Sequence, residues 1–211
     1  ERLEEHARSL AEAQELSERR GRLRPISRRL VDNGEVLLSS YRELSKAIRE
    51  EALLTPAAEW LVDNFHLVES QLHEIRDNLP SSYYRELPKL DGGHLAGYPR
   101  VYGIVWAYVA HLDSRFDPEA LRRFVASYQD VAPLTIGELW AIPITLRLIL
   151  IENLRRMAES IIWARRLRRE AEEIADGLLG IGGGRSGETQ AALDRYGPAK
   201  LPQPFAVQLL Q

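Results

Sequence analysis

From Leu61 to Leu79, apolar side chains recur at steps of alternately four and three residues: Leu61, Phe65, Val68, Leu72, Ile75 and Leu79. That spacing marks one face of an α-helix, whose turn of roughly 3.6 residues returns every third or fourth side chain to the same side. The run has clear ends. Thr55 supplies a capping hydroxyl, Pro56 occupies the first helical position, where its missing N–H costs nothing, and Pro80 cannot continue the helix. A stripe this long has to be laid against neighbours, so it commits the chain to a multi-helix fold.

The neighbours are legible on either side. Residues 2–17 read as an Ala- and Glu-rich helix with a thin stripe of Leu3, Leu10 and Leu16, broken between Gly21 and Pro25. A second helix is expected from about Asn33 to Glu51 on Leu37, Tyr41, Leu44 and Ile48. After an irregular stretch from Ser81 to Pro99, Pro99 opens a helix striped by Val101, Val105, Val109 and Leu112. Asp117-Pro118 repeats the cap-plus-proline start ahead of Leu121, Phe124, Val125 and Tyr128. Thr135 and Glu138 form a capping box, with Leu134 and Leu139 at the positions of a hydrophobic staple. The helix they begin, over about 135–179, is apolar on most sides in its first half, as expected of a central helix. It turns charged and amphipathic from Glu152. Pro143 leaves the Leu139 carbonyl without its helical partner, so a kink is expected there.

No alternating pattern of useful length argues for a strand. The fold class expected is therefore all-α: a multi-helix bundle with a long central helix and a looser helical C-terminal extension. Its organisation reads as a bundle domain over 1–180, a glycine-rich linker over 181–187, and the start of a helical extension over 188–211. Glu1 in place of an initiator methionine and an ending that looks like a helix cut short suggest part of a longer polypeptide.

Composition excludes several function classes. The net charge of −3 provides no global basic field for nucleic acid, and the absence of cysteine excludes disulfides and thiolate metal sites. The most apolar stretch, Leu139 to Ile151, is interrupted by Thr145 and Arg147 and falls far short of the ~20 residues of a membrane span. No segment reads as a signal peptide.

Motifs that would carry catalysis are sparse. Gly182 to Ser186 resembles a phosphate loop only loosely, because Arg185 replaces the lysine and the segment follows a helix rather than a strand. It reads as a linker. Of the five histidines, His66 and His73 share a helix face but stand two turns apart, too far for one ion. His66 is expected to be partly buried beside Phe65. Asp113 and Asp117 flank Arg115, and a carboxylate pair suits acid–base work on glycosides. The favoured reading has Asp117 capping a helix and Asp113 pairing with Arg115. Trp60, Trp106, Trp140 and Trp163 all fall within helices, where burial is the expectation.

The stretch from Tyr83 to Arg100 is the most promising polar feature. Tyr83, Tyr84, Arg85, Lys89, Tyr98 and Arg100 combine aromatic faces with fixed donors, as a sugar site or a partner surface would. The alternative is that the tyrosines and Leu87 seal one end of the bundle while the charges face water. If the stretch is a recognition surface, at least two of Tyr84, Arg85, Lys89 and Arg100 should be accessible and converge on one concavity. No catalytic residue and no metal ligand is assigned.

Several blocks resemble the N-terminal region of cyclic β-1,2-glucan synthases, large multidomain bacterial glucosyltransferases. They are Leu54-Thr-Pro-Ala-Ala-Glu-Trp-Leu-Val-Asp-Asn-Phe-His-Leu-Val-Glu69, Tyr83-Tyr-Arg-Glu-Leu-Pro-Lys89, Gly97-Tyr-Pro-Arg-Val-Tyr102, His111-Leu-Asp-Ser-Arg-Phe-Asp117 and Leu134-Thr-Ile-Gly-Glu-Leu-Trp140. The opening Glu1-Arg-Leu-Glu-Glu-His-Ala7 and the closing Pro204-Phe-Ala-Val-Gln-Leu-Leu210 are also similar, so the resemblance covers nearly the whole chain. It implies an inner-membrane polypeptide in which a UDP-glucose-dependent transferase with a divalent metal and a phosphorylase-like domain both lie C-terminal to this region. None of their motifs occurs here, so no catalytic residue carries over. This region would be a non-catalytic accessory module on the cytoplasmic side, partnered by other domains of the same polypeptide or a second copy. A carbohydrate- or nucleotide-sugar-binding module is the alternative.

Overall fold

A computed structural model describes residues 2–17, 26–50, 54–112, 116–179 and 202–209. Its named elements are all helical, as expected: α1 (Arg2–Ala13), α2 (Ile26–Arg49), α3 (Pro56–Asp63), α4 (Phe65–Asn78), α5 (Ser81–Glu86), α6 (Arg100–His111), α7 (Pro118–Gln129), α8 (Ile136–Leu179) and α9 (Gln203–Leu209). Among the described residues the only β-type pairings are two isolated antiparallel bridges, Leu16 with Leu90 and Lys89 with Pro99.

The capping signals work as their chemistry requires. Thr55 Oγ1 accepts from the Ala58 N–H at 3.4 Å. The Asp117 carboxylate accepts from the Glu119 and Ala120 N–H groups at 2.9 and 3.1 Å, with Pro118 in the first turn behind it. At α8, Thr135 Oγ1 accepts from the Glu138 N–H at 3.2 Å, and Glu138 Oε2 accepts from the Thr135 N–H at 2.9 Å. These are the two halves of a capping box. Helix α8 then continues through Pro143 to Leu179, 44 residues in all.

Several elements differ from the expectation. The helix expected over residues 56–80 is two helices, α3 and α4, which part at Asn64 with its backbone at φ −107° and ψ 15°. Leu61, Phe65, Val68 and Ile75 are buried on both sides of the break, so the apolar stripe outlives the helix that was inferred from it. Helix α2 begins at Ile26, seven residues ahead of Asn33, and the stretch after Pro80 contains the short helix α5. In α1 the buried face is Ala7 and Ala11, whereas Leu16 is exposed. Small side chains there let α1 lie close against α7.

The described residues form two compact units. The first comprises Glu1–Leu38 and Asp63–Arg155, the second Ser39–Val62 and Arg156–Gln211. In the first, Leu37, Ile75, Ile104, Val105, Phe124, Tyr128, Leu148 and Ile149 are buried. In the second, Leu44, Ala47, Ala58, Leu61 and Ala158 are buried, and Phe205 of α9 is enclosed in a cluster with Leu167, Ala171 and Ile174. The linker read at 181–187 and the short helix read near 188–195 lie outside the described residues.

Candidate functional site

Of the six candidate side chains between Tyr83 and Arg100, Tyr84, Lys89, Tyr98 and Arg100 are buried within the first unit. Arg100 is buried and makes a paired contact with Glu138, Nε to Oε1 at 2.7 Å and Nη2 to Oε2 at 2.6 Å, while Nη2 also donates to the Pro133 carbonyl at 3.0 Å. Glu138 is 0% exposed. Burial alone would push its carboxyl up, but the Arg100 guanidinium and the Thr135 donors hold it below the ordinary carboxylate value. One carboxylate thus completes the capping box of α8 and ties α6 to it.

Lys89 is also buried, at 8% exposure. Its Nζ donates to the carbonyls of Tyr84 at 2.5 Å and Leu87 at 2.6 Å, and lies 4.7 Å from the centroid of the buried Tyr84 ring. Loss of hydration lowers the amine to about 8, with Glu86 acting in the opposite direction. Tyr98 stacks on Tyr102, their centroids 4.7 Å apart, and its hydroxyl accepts from Arg29 Nη1 at 3.0 Å. The Arg29 guanidinium grips both oxygens of Glu152, to which the Tyr102 hydroxyl donates at 2.8 Å.

Of the four side chains required to converge on a concavity, Tyr84, Lys89 and Arg100 are buried and only Arg85 is exposed. Sequence reasoning could not see this. Glu138 and Glu152 lie 38 and 123 residues from the arginines they hold, and nothing in a linear pattern pairs them.

Tyr83 leads elsewhere. It is half-buried, and its hydroxyl donates to the Gly137 carbonyl in the first turn of α8. It lines an open groove of about 570 Å³ whose other wall carries Ile136, Trp140 and Pro143. Ile136 is 76% exposed and Trp140 79% exposed. Positions 136, 140 and 143 share one face of α8, so the groove bears an uncovered apolar stripe at helical spacing. Its rim is polar: Arg147 Nη1 pairs with Glu74 Oε1 at 2.9 Å, and Asn78 Nδ2 donates to the Glu74 carbonyl at 2.9 Å.

This stripe corrects the expectation that the tryptophans are buried. Trp60 and Trp163 are about half exposed as well, and Trp106 is intermediate. His66 is exposed rather than tucked beside Phe65, and the His73 ring nitrogen Nδ1 bonds the Glu69 carbonyl at 2.7 Å. Asp117 caps α7, whereas Asp113 lies outside the described residues, as do 182–186. Among the described residues no cluster of His, Asp or Glu side chains could hold a metal ion, and no helix is long and apolar enough to cross a membrane.

No protein-family model matches the chain. The chain is similar to the cyclic β-(1,2)-glucan synthase NdvB of Rhizobium meliloti (strain 1021), with 42% identity over 148 residues. That match takes in 70% of this chain but only 5% of the relative's length. Over that stretch the chain resembles one segment of a cyclic β-(1,2)-glucan synthase.

Proposed function

We propose that this chain is a non-catalytic helical accessory domain of a cyclic β-(1,2)-glucan synthase-like membrane glycosyltransferase, working by docking at the cytoplasmic face. Glucosyl transfer from UDP-glucose belongs in this reading to other parts of the polypeptide. The observation that carries it is the uncovered stripe of Ile136 and Trp140 at the mouth of the α8 groove. Large apolar side chains held open to water on a well-formed helix mark interaction surfaces, and Trp and Arg are the residues that most often anchor them. Spacing of four and then three residues suits an incoming amphipathic helix. The carboxylates best placed for chemistry have structural partners instead, Glu138 and Glu152 holding arginines and Asp117 capping α7.

The occupant proposed is another segment of the same polypeptide, since a relative of this chain extends far beyond the 5% matched here. In the longer protein, Trp140→Ala combined with Ile136→Ser should leave the protein folded yet sharply reduce glucan synthesis by membranes. The isolated chain should bind the remainder of the polypeptide, added separately, in a Trp140-dependent way. Unchanged synthesis in the double variant would sink the reading. So would a Trp140-dependent dimer of the isolated chain by sedimentation, which would make the occupant a second copy.

A further inference from the structure

A second cleft lies on the same unit, at the junction of α1, α6 and the loop over residues 89–97, and encloses about 660 Å³. Its walls are fixed by backbone pairing. Ser17 N–H donates to the Lys89 carbonyl at 2.9 Å, and Asp91 N–H donates to the Glu15 carbonyl at 3.0 Å. The loop is closed on itself by Gly97 N–H to the Leu90 carbonyl and Leu90 N–H to the Tyr98 carbonyl, each at 2.9 Å. Gly93 and Gly97, at φ 73° and 83°, make the turn that this closure requires. A cleft held this way is formed before any ligand arrives.

Its floor is apolar, built from Leu90, Gly103 and Ala107, with Trp106 in the wall. The polar groups sit at defined points. The Tyr128 hydroxyl donates to Gln14 Oε1 at 2.8 Å, which fixes the amide and leaves Nε2 free to donate to a ligand. That nitrogen lies 2.8 Å from where a Cβ on Gly103 would stand, so the glycine keeps the space for it. His94 meets Trp106 edge-on at 5.2 Å, and His6 stacks on His111 at 5.5 Å. These three imidazoles are exposed and offer both donors and acceptors at the mouth.

We infer that this cleft binds a neutral hexopyranoside. A pyranose presents a face of C–H groups, which suits an apolar floor beside an indole, and a rim of hydroxyls, which suits an amide donor and imidazole edges. A phosphorylated or nucleotide ligand is disfavoured because, among the described residues, the lining has no Lys or Arg and includes Glu15. A purely apolar ligand would strand Gln14 Nε2 without a partner. The volume falls within the roughly 300–1,000 Å³ common for small-molecule sites. Docking at the α8 groove does not depend on this cleft.

The test is a titration of the chain, followed by amide and indole NMR, with the methyl glycosides of glucose, galactose and mannose, and with UMP and inorganic phosphate. Trp106→Phe assigns the indole signal. At least one glycoside should give saturable shifts at the Trp106 indole and the Gln14 side-chain amide. Gly103→Ala, which displaces the Gln14 amide, and His94→Ala should each weaken that binding about tenfold or more. If Gly103→Ala loses its helical circular dichroism, His94→Ala decides. The inference is overturned if no glycoside saturates, if the shifts map elsewhere, if neither folded variant weakens binding, or if UMP or phosphate takes the site in preference.

Discussion

Lys89 shows how a residue chosen for its charge can act through losing it. Its amine is surrounded by two carbonyls and the Tyr84 ring, and burial lowers it to about 8 from an ordinary 10.5. Between those two values the unfolded chain holds a proton that the folded chain has released, so stability rises with pH across that window. Burial pushes the Tyr84 and Tyr102 phenols above their ordinary 10.0, which works in the opposite sense once unfolded tyrosines begin to ionise. The urea midpoint of the chain should therefore climb from about pH 8 to a maximum near about pH 10, with Lys89 contributing on the order of 2 kcal/mol. Lys89→Met should flatten that climb, whatever it does to stability at neutral pH. An unaltered climb in the variant would show that some other group is responsible.

At the scale of elements, helix starts were legible and helix environments were not. Asp117-Pro118, Thr55-Pro56 and the Thr135–Glu138 box are local devices, so adjacent residues state them completely, and each forms as read. The break at Asn64 was hidden because the apolar stripe stays in register across it. Periodicity likewise marks Ile136 and Trp140 as apolar without telling whether anything covers them. The polar links between elements were hidden for a third reason, that their partners are distant in sequence. The Arg100–Glu138 pair joining α6 to α8 is the clearest case, and it is testable. Removing Arg100 leaves a carboxylate at 0% exposure without its cation, a loss of roughly 3–5 kcal/mol when one partner of a buried pair is removed. The sign in acid also follows. Glu138 is held below 4.5 in the folded chain, so its stabilisation is complete above that value and is lost as pH falls through the folded one. In Arg100→Met, burial acts unopposed by the guanidinium and the carboxyl rises, so protonating Glu138 relieves a buried charge instead of breaking a pair. The stability lost in the variant at neutral pH should therefore shrink as pH falls below 4.5, read from the urea midpoints of parent and variant. A difference between the two that is the same at both pH values would mean that the pair carries little of the link.

For the molecule as a whole, the long helix α8 contributes residues to both compact units, Ile136–Arg155 to one and Arg156–Leu179 to the other. Each unit has its own enclosed aromatics, Phe124 and Tyr128 in the first and Phe205 in the second. Phe205 is the more informative, because it reaches its cluster from α9, a seven-residue helix too short to hold its shape without packing. Leu167, Ala171 and Ile174 supply that packing along one face of α8. Deleting a fully buried phenyl ring costs ~3–5 kcal/mol where the surroundings cannot collapse. Phe205→Ala should therefore release α9 and lower the hydrogen-exchange protection of amides from Leu167 to Ile174. If the two units are also energetically separate, the amides of Ile104 to Tyr108 in the first unit should keep the protection they have in the parent. Equal loss at both places would mean that the chain opens as one cooperative body despite its two clusters. Unchanged protection at Leu167 to Ile174 would mean that the end of α8 is stable without α9.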